Sequence, residues 1–327
     1  MNYDTALIKP TAPPTFVSSA STDYETYQSD NPAIITVRDL RLTRGDFSLV
    51  VEKLIVGAGE RVAMVGRNGS GKSLLLETLL GLRHPQTGQI TLLGNSPDAF
   101  KSKPGLKHDI GALLQDVQFE SNILIVEIVR MHRSLYRRVN PVILCLLGID
   151  ELLDRPYKAL SRGQKQRVQL YLALAHEPSL VLLDEPTLGL DEAYAKALRD
   201  YWQAAAGAGR TLLMISHVPA DLEKMDRLVC MAGGRVVDSG SLDTLINRHL
   251  GRYCGRILLP LSADLQKELE TIAGIVHVIY GDHGDITLYG HGAFESDFRL
   301  FLMRQQITAF SLEPTGPGDL LAFLAGV

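Results

Sequence analysis

Eight consecutive residues in the first quarter of the chain have the types and spacing of a phosphate-binding loop. They are Gly66, Arg67, Asn68, Gly69, Ser70, Gly71, Lys72 and Ser73, which fit the pattern G-x-x-x-x-G-K-[ST]. Glycines let the backbone curl so that successive N–H groups face an anion. Lys72 is expected to reach the β- and γ-phosphates of a nucleotide, and Ser73 to bind Mg²⁺. The loop therefore predicts a nucleoside triphosphate ligand.

A pair of carboxylates follows the apolar run Leu180-Val181-Leu182-Leu183. Such a run is consistent with a buried strand, which would bring Asp184 and Glu185 to one edge of a sheet. Asp184 suits the Mg²⁺ coordination shell, and Glu185 suits a general base that polarises an attacking water. The alternative, a carboxylate pair that only ends a strand, is weak when a phosphate loop lies in the same domain.

The elements that must position these residues alternate between strands and helices. We predict strands at 34–37, 47–51, 60–65, 89–93, 110–114, 180–183, 211–216, 228–232 and 235–238, with a turn at 87–88. Helices are predicted at 73–82, over much of 123–153 and at 162–175. This order predicts an α/β fold with a mainly parallel sheet, whose ligands bind at the carboxyl ends of the strands.

The pattern changes at both ends of the chain, which at 327 residues is long enough for two domains. Residues 1–32 are rich in Pro, Ser, Thr and Asp and are interpreted as a mobile tail. Residues 33–250 form the predicted α/β domain. Residues 251–327 predict strands at 256–261, 275–280, 285–289 and 307–312, with helices at 263–272, 294–305 and 318–324. The βαββαβ order predicts a small α+β, ferredoxin-like unit.

Composition excludes several other classes of protein. A net charge of −4 gives no reason to expect nucleic-acid binding, which usually requires a basic face. No apolar run approaches the ~20 residues that span a bilayer, and the first residues lack a secretory signal. If the protein works at a membrane, another chain must supply the membrane spans.

The motifs together resemble one family, the ATP-binding cassette (ABC) ATPases. Its features occur here in the family's order: Gly66 to Ser73, Gln115, Leu160-Ser161-Arg162-Gly163-Gln164, Leu180 to Glu185, Gly189-Leu190-Asp191 and His217. The resemblance covers roughly residues 34–250. It implies a P-loop NTPase fold of the ABC type, with a mainly parallel core, an antiparallel β subdomain and a helical subdomain.

The resemblance also implies roles for residues outside the phosphate loop. In that family two cassettes meet head to tail around two ATP molecules. Ser161, Gly163 and Gln164 would then belong to the signature loop that contacts the γ-phosphate held by the other cassette. Gln115 would contact Mg²⁺ and water. Asp191 would couple the two sites, and His217 would hold the γ-phosphate. Because Glu185 and His217 are both present, the site is expected to be competent for hydrolysis.

Two positions depart from the family pattern. Arg44 stands where an aromatic residue usually stacks on adenine. A guanidinium can itself stack on a ring, Phe47 could substitute with a register shift, or Arg44 points into solvent. Arg162 stands where glycine is commoner in the signature. It either faces the γ-phosphate or is a solvated arginine that points away from the interface.

These features predict an ATPase that uses ATP and Mg²⁺ as the nucleotide-binding subunit of an ABC transporter. It is expected to dimerise with a second cassette on the cytoplasmic face of the membrane and to drive a separate membrane permease. The single cassette with a small extension resembles the ATPases of drug and antibiotic exporters. The alternatives are a soluble ABC ATPase in translation or DNA metabolism, an importer ATPase with a regulatory domain, and a regulatory protein that uses ATP binding for signalling.

Overall fold

The computed structural model describes residues 31–114, 119, 122–136, 138–258, 262–269, 271–281 and 284–326. The predicted tail at 1–32 lies outside these ranges apart from its last two residues. The strands are β1 (Ala33–Arg44), β2 (Phe47–Gly57), β3 (Arg61–Val65), β4 (Thr87–Leu92), β5 (Ile110–Leu113), β6 (Leu180–Asp184), β7 (Thr211–Ile215), β8 (Arg227–Ala232), β9 (Arg235–Gly240), β10 (Tyr253–Ile257), β11 (Ile275–Tyr280), β12 (Ile286–Gly290) and β13 (Phe310–Pro314).

The helices are α1 (Lys72–Leu79), α2 (Ala99–Ser102), α3 (Ile125–Leu135), α4 (Pro141–Leu146), α5 (Arg162–Leu174), α6 (Glu192–Gly207), α7 (Pro219–Leu222), α8 (Leu242–His249), α9 (Ala263–Leu269), α10 (Phe294–Arg304) and α11 (Pro317–Ala325). Short 3-10 turns lie at Pro104–Asp109, Asp150–Leu152 and Tyr157–Ala159.

Nine strands form one sheet in the order β4-β1-β2-β9-β8-β3-β7-β6-β5. Neighbours from β8 to β5 are parallel, so their carboxyl ends share one edge of the sheet. Strands β6 and β7 are buried along their whole length, because helices cover both faces of such a sheet. This is the parallel core that the alternation of strands and helices predicts, and its shared edge receives the candidate site.

The other end of the sheet is antiparallel, with β1 paired to β2 and to β4. The predicted turn at 87–88 is wrong, because Thr87 and Gly88 already belong to β4, where Thr87 pairs with Arg41. At Gly88, φ is +102°, and a Cβ would lie 2.5 Å from Leu40 Cα. Glycine is therefore required there by the close approach of two backbones rather than by a turn.

The four strands after residue 250 form a separate antiparallel sheet in the order β11-β12-β10-β13. With α9 and α10 between strands, this is the predicted βαββαβ arrangement. The unit has its own core around Phe294 and Phe298, which stack with ring centroids 5.4 Å apart. The final helix, α11, leaves this core: its Leu320, Phe323 and Leu324 belong to the cluster that fills the nine-stranded part.

Two strands of this unit lie at other positions than the sequence predicts. Strand β10 is displaced toward the N-terminus of its predicted span, 256–261, and β13 toward the C-terminus of its span, 307–312. The two pair with each other, Ile257 opposite Phe310, so each sets the limits of the other. Of the predicted first strand, residues 259–261 lie outside the described residues.

No helix within the described ranges has the length and apolar character needed to cross a membrane. The predicted fold class is confirmed: an α/β fold with a mainly parallel core and an antiparallel β portion, followed by a small α+β unit.

Candidate nucleotide-binding and hydrolytic site

The phosphate loop joins β3 to α1 at the shared carboxyl edge of the parallel strands. Gly66 has φ +142°, and a Cβ at this residue would lie 2.1 Å from the carbonyl oxygen of Met231. The loop therefore rests directly on the end of β8, which only glycine permits. Gly69 and Gly71 also have positive φ values. Arg67, Asn68 and Gly69 are exposed at the tip of the loop.

Lys72 folds back under this loop. Its Nζ donates to the carbonyl oxygens of Gly66 at 2.6 Å and Arg67 at 2.9 Å, and only 6% of the residue is exposed. Burial lowers the pKa of Lys72, while the charges of Glu185 and Asp184 act against that shift. No carboxylate of the described residues forms an ion pair with Lys72. A buried ammonium with no carboxylate at ion-pair distance in the described residues, beneath a glycine-rich loop at the N-terminus of α1, fits the phosphates of a nucleotide.

Asp184 ends β6 and is buried, and Glu185 follows it in a left-handed conformation with φ +50°. The Glu185 N–H donates to the carbonyl oxygen of Ile215 at 3.0 Å, which ties this turn to the end of β7. Burial, together with the neighbouring charge of Asp184, raises the pKa of Glu185 to about 7. A carboxylate with that pKa is matched to accepting a proton near neutral pH. Hydroxyl and carboxylate oxygens, as on Ser73 and Asp184, are the ligands that Mg²⁺ prefers.

His217 follows β7 and faces the same turn. Its Nε2 lies 3.5 Å from Glu185 Oε1. Burial lowers the pKa of His217, and the positive charge of Lys72 lowers it further. The imidazole is therefore neutral at neutral pH. Strand order thus brings together Lys72, Asp184, Glu185 and His217, which are up to 145 residues apart in the chain (217 − 72).

The signature residues form a second cluster at the start of α5. The Ser161 hydroxyl accepts from the Gln164 N–H at 3.3 Å, and Gln164 Oε1 accepts from the Ser161 N–H at 3.0 Å. This reciprocal capping box fixes the first turn of α5, whose N-terminal end carries the positive end of the helix dipole. A Cβ on Gly163 would lie 2.5 Å from the carbonyl oxygen of Gly189, so glycine here allows α5 to approach the loop that carries Asp191.

A polar cavity of about 140 Å³ lies in this second cluster, lined by Ser161, Gly163, Gln164, Arg167, Gly189, Leu190 and Asp191. None of the phosphate-loop residues lines it. Within this chain the predicted site residues that the structure describes therefore form two clusters, one around Lys72 and one around Ser161. Gln115, predicted to contact Mg²⁺ and water, lies outside the described residues.

The sequence did not indicate how the two clusters are connected. Gln166, on α5, donates from Nε2 to the carbonyl oxygens of Glu185 at 3.1 Å and Pro186 at 3.2 Å. It therefore joins the signature helix to the turn of the candidate base. The only signal in the sequence was its position two residues after Gln164, which gives no partner.

The structure also places the two departures from the family pattern. Phe47 packs on the phosphate loop, with its Cζ 3.1 Å from the position that a Cβ on Gly71 would take, while Arg44 is exposed. Arg162 is exposed and runs along the other loop, with its Nε 3.9 Å from the Cβ position of Gly189. Arg162 therefore lies beside Gly189, one of the residues that line the signature cavity.

Comparison with known proteins agrees with this geometry. The family model described as ABC transporter matches residues 52–188. Over 191 residues the chain is 34% identical to Nod factor export ATP-binding protein I of Azorhizobium caulinodans, covering 56% of this chain and 59% of that protein. Over 249 residues it is 30% identical to the protein of the same name from Burkholderia orbicola, covering 74% of this chain and 82% of that protein.

Among solved structures, the chain is similar to an ATP-binding subunit of an ABC transporter, with a TM-score of 0.58 and 26% identity over 66% of this chain and 92% of the other. The chain spans 59% of the Azorhizobium protein and 29% of an ABC transporter G family member from Dictyostelium discoideum. It belongs to the ABC transporter ATP-binding family, and the predicted identification as an ATPase of this family is confirmed.

Proposed function

We propose that this chain hydrolyses ATP as the nucleotide-binding subunit of an ABC transporter. The observation that supports the proposal most directly is the pairing of Glu185 with His217. A carboxylate whose pKa is raised to about 7 lies 3.5 Å from a neutral imidazole, beside the phosphate loop of Lys72. This arrangement provides a proton acceptor and a phosphate-facing partner at the same strand edge.

In the proposed mechanism, the N–H groups of residues 66–73 and the ammonium of Lys72 bind the β- and γ-phosphates. Glu185 orients the attacking water and accepts its proton, and His217 holds the γ-phosphate in line with that water. As the water oxygen bonds to the γ-phosphorus, the bond from that phosphorus to the bridging oxygen breaks and ADP leaves with that oxygen. Bound Mg²⁺ would neutralise phosphate charge, and we assign Ser73, Asp184 and Gln115 as the residues that would hold it.

We propose further that two cassettes dimerise head to tail. The signature cavity of Ser161, Gly163, Gln164 and Asp191 is polar and lies apart from the protomer's own phosphate loop. An ATP bound at the loop of one subunit would fill the signature cavity of the other. In that dimer the exposed Arg162, beside Gly189 of the cavity, would approach the γ-phosphate of the partner's ATP.

The assembly that we propose works on the cytoplasmic face of a membrane, beneath a separate permease, and in the direction of export. The relatives named for Nod factor export support the direction. On α3, Met131 and Leu135 are 45% and 60% exposed and lie one turn apart, an apolar face suited to a protein partner. Residues 33–250 would form the motor, and residues 251–327 an accessory unit.

Glu185→Gln tests the hydrolytic proposal. Because glutamine cannot accept the proton, turnover should fall by about 10²–10⁴-fold while ATP binding is retained and ATP-dependent dimers accumulate. Phosphate release and light scattering measure the two effects. The matched control is Glu313→Gln, whose side chain is 64% exposed on β13. Equal turnover in wild type and Glu185→Gln would refute the assignment.

Co-purification tests the membrane assembly. The tagged full chain should bring down a polytopic membrane protein encoded next to it, and ATP turnover should rise when the two are reconstituted in vesicles. If ATP drives substrate only to the side of the vesicle membrane opposite the ATPase, the result supports export. A chain that co-sediments with ribosomes or DNA, and never with membranes, would instead favour a soluble ABC ATPase.

A further inference from the structure

A completely buried carboxylate lies next to the site and has no part in the proposed chemistry. Asp221, on the short helix α7, is 0% exposed. Its Oδ2 accepts from the Thr187 hydroxyl at 2.6 Å and from the Ser216 hydroxyl at 2.7 Å. Its Oδ1 accepts from Arg199 Nη1 at 3.3 Å. Burying a carboxylate is costly unless it is paired and hydrogen-bonded, and Asp221 has both kinds of partner.

The two hydroxyls belong to the loops that carry the reacting groups. Thr187 is two residues after Glu185, and Ser216 immediately precedes His217. Both donors are buried, with 6% and 0% exposure. A single carboxylate therefore fastens the loop after β6 to the loop after β7. The same two loops carry Glu185 Oε1 and His217 Nε2, whose separation is 3.5 Å.

The Ser216 hydroxyl makes two hydrogen bonds around the turn that carries His217. Its hydroxyl donates to Asp221 and accepts from the Val218 N–H at 3.1 Å. The backbone of His217 is thus held between two residues that share one hydrogen-bonded chain. Such bonds restrict the histidine to one backbone conformation, which is the requirement for a group that must meet a phosphate within a fraction of an ångström.

The cluster also extends to the third functional loop. Arg199, 6% exposed, donates to Asp221 and to Glu192 Oε1, and Glu192 is the residue after Asp191. Arg199 therefore supplies the positive charge that pairs with the buried Asp221, and it also reaches Glu192, whose side chain is 82% exposed. Because removing one member of a buried charged pair leaves the other uncompensated, the hydroxyl partners offer the cleaner substitutions.

We infer that Asp221 is a positioning residue, which sets the distance between Glu185 and His217 by holding Thr187 and Ser216. The inference rests on the proposed ATP hydrolysis. It predicts that removing either hydroxyl lowers turnover without lowering nucleotide affinity, because the phosphate loop does not contact this cluster in any hydrogen bond of the described residues.

The test compares Thr187→Val and Ser216→Ala with Thr211→Val in the full chain. Thr211 is the matched control: it is 1% exposed and hydrogen-bonded through its hydroxyl to Gly59, at the opposite end of β7 from His217. The two test variants should lose about tenfold or more in kcat, with KM and ATP affinity changed less than about threefold. Thr211→Val should keep the wild-type kcat.

A mutant cycle separates positioning from general stability. In a His217→Ala background, where there is no imidazole left to position, Ser216→Ala should lower the residual kcat by less than about twofold. Losses in the test variants no larger than in Thr211→Val, or the same loss in both backgrounds, would overturn the inference.

Hydrogen exchange provides a readout that does not need turnover. Amides of 185–190 and 215–222 should exchange faster together in Thr187→Val, and in Thr211→Val neither segment should change. Faster exchange confined to 185–190 would show that Asp221 does not connect the two loops, and would overturn the inference. A wild type that binds ATP but never hydrolyses it would refute the proposed function instead, and the two failures are distinguishable.

Discussion

The two sheets of this chain use polar side chains in different ways. In the nine-stranded sheet, parallel neighbours bring Lys72, Glu185 and His217 to one edge. In the four-stranded sheet all neighbouring strands run antiparallel, so their carboxyl ends are divided between two edges. Parallel pairing collects side chains from distant parts of the sequence into one site, and antiparallel pairing does not.

The polar groups of the smaller sheet instead fasten a helix. Asp319 accepts from Arg256 Nη2 at 2.5 Å, from the Tyr289 hydroxyl at 3.1 Å and from the Gly316 N–H at 2.8 Å. These bonds hold the start of α11. The Cγ of Pro219 on α7 lies 3.8 Å from the position that a Cβ on Gly318 would take. Helix α11 therefore contacts the segment that follows His217 and packs with the core of the nine-stranded part.

Lys72→Met should most clearly lower ATP turnover without lowering the free energy of unfolding. The buried ammonium has a lowered pKa and no carboxylate partner at ion-pair distance in the described residues. Removing it should lower turnover by about 10²–10³-fold. The free energy of unfolding should change by less than about 1 kcal/mol, because the loss of two hydrogen bonds to the loop carbonyls is offset by no longer burying a charge without an ion-pair partner. Steady-state kinetics and urea unfolding measure the two quantities.

The control for that variant is Lys196→Met, because the side chain of Lys196 is 70% exposed and its ion pair with Asp200 lies on the surface. It should leave both turnover and stability unchanged. A Lys72→Met protein that is strongly destabilised would mean that the loop carbonyls need the ammonium for folding, and the contrast between the two sheets would weaken.

Leu320→Ala tests whether the accessory unit supports the cassette. Leu320 is completely buried in a cluster that also contains Leu222 and Trp202 of the cassette. The truncation should destabilise the protein by about 2–5 kcal/mol. Trp202 is the single tryptophan of the chain, so its fluorescence reports unfolding of the cassette alone.

Leu300→Ala on α10 is the matched control, since Leu300 is 49% exposed, and it should cost less than about 0.5 kcal/mol. If the Trp202 transition were the same in Leu320→Ala as in wild type, α11 would contribute nothing to the cassette core. The two units would then be independent in stability.

Much of the cassette was predictable because its signals are local. The phosphate loop needs only eight residues in order, and an apolar run that ends in Asp184-Glu185 predicts its own strand. The contacts of Gln166 and Asp221 were not predictable, because a polar side chain in a sequence does not reveal which distant backbone or hydroxyl it meets. The predicted limits of β10 and β13 were wrong for a related reason.

Gly255 illustrates that second failure. It lies inside β10, where it breaks the apolar alternation that marks a strand. A Cβ there would lie 2.6 Å from Cε1 of Phe298, so glycine is present to admit the aromatic ring of α10. The strand is thus specified by a tertiary contact, and the sequence pattern alone places it too far toward the C-terminus.

Gly163→Ala should affect the signature cluster and leave the phosphate loop intact. The added Cβ would lie 2.5 Å from the carbonyl oxygen of Gly189, so α5 or the loop of Asp191 must move. Turnover and ATP-dependent dimer formation should each fall about tenfold, with unchanged ATP affinity of the monomer. Gly207→Ala is the control, since no atom lies within 4 Å of that Cβ position. An equal loss in both variants would contradict the packing argument.

The last prediction is a pH dependence set by Glu185. Its pKa is raised from 4.5 to about 7, so below pH 7 the free enzyme holds a protonated base. The value of kcat/KM should rise up to about tenfold per pH unit below the midpoint and level off above it. Initial rates from about pH 5.5 to about pH 9 measure the profile.

The raised pKa of Glu185 also makes folding stability depend on pH, but stability falls as pH rises whereas kcat/KM increases. Between pH 4.5 and about 7 the folded state binds more protons at Glu185 than the unfolded state does, so the free energy of unfolding falls as pH rises through this window. The glutamine side chain of the Glu185→Gln variant cannot titrate. The free energy of unfolding of the wild type minus that of the variant should therefore decrease from acid to neutral pH. A difference that stays constant across the window, together with a flat kcat/KM profile, would show that Glu185 is ionised throughout and is not the base matched to neutral pH.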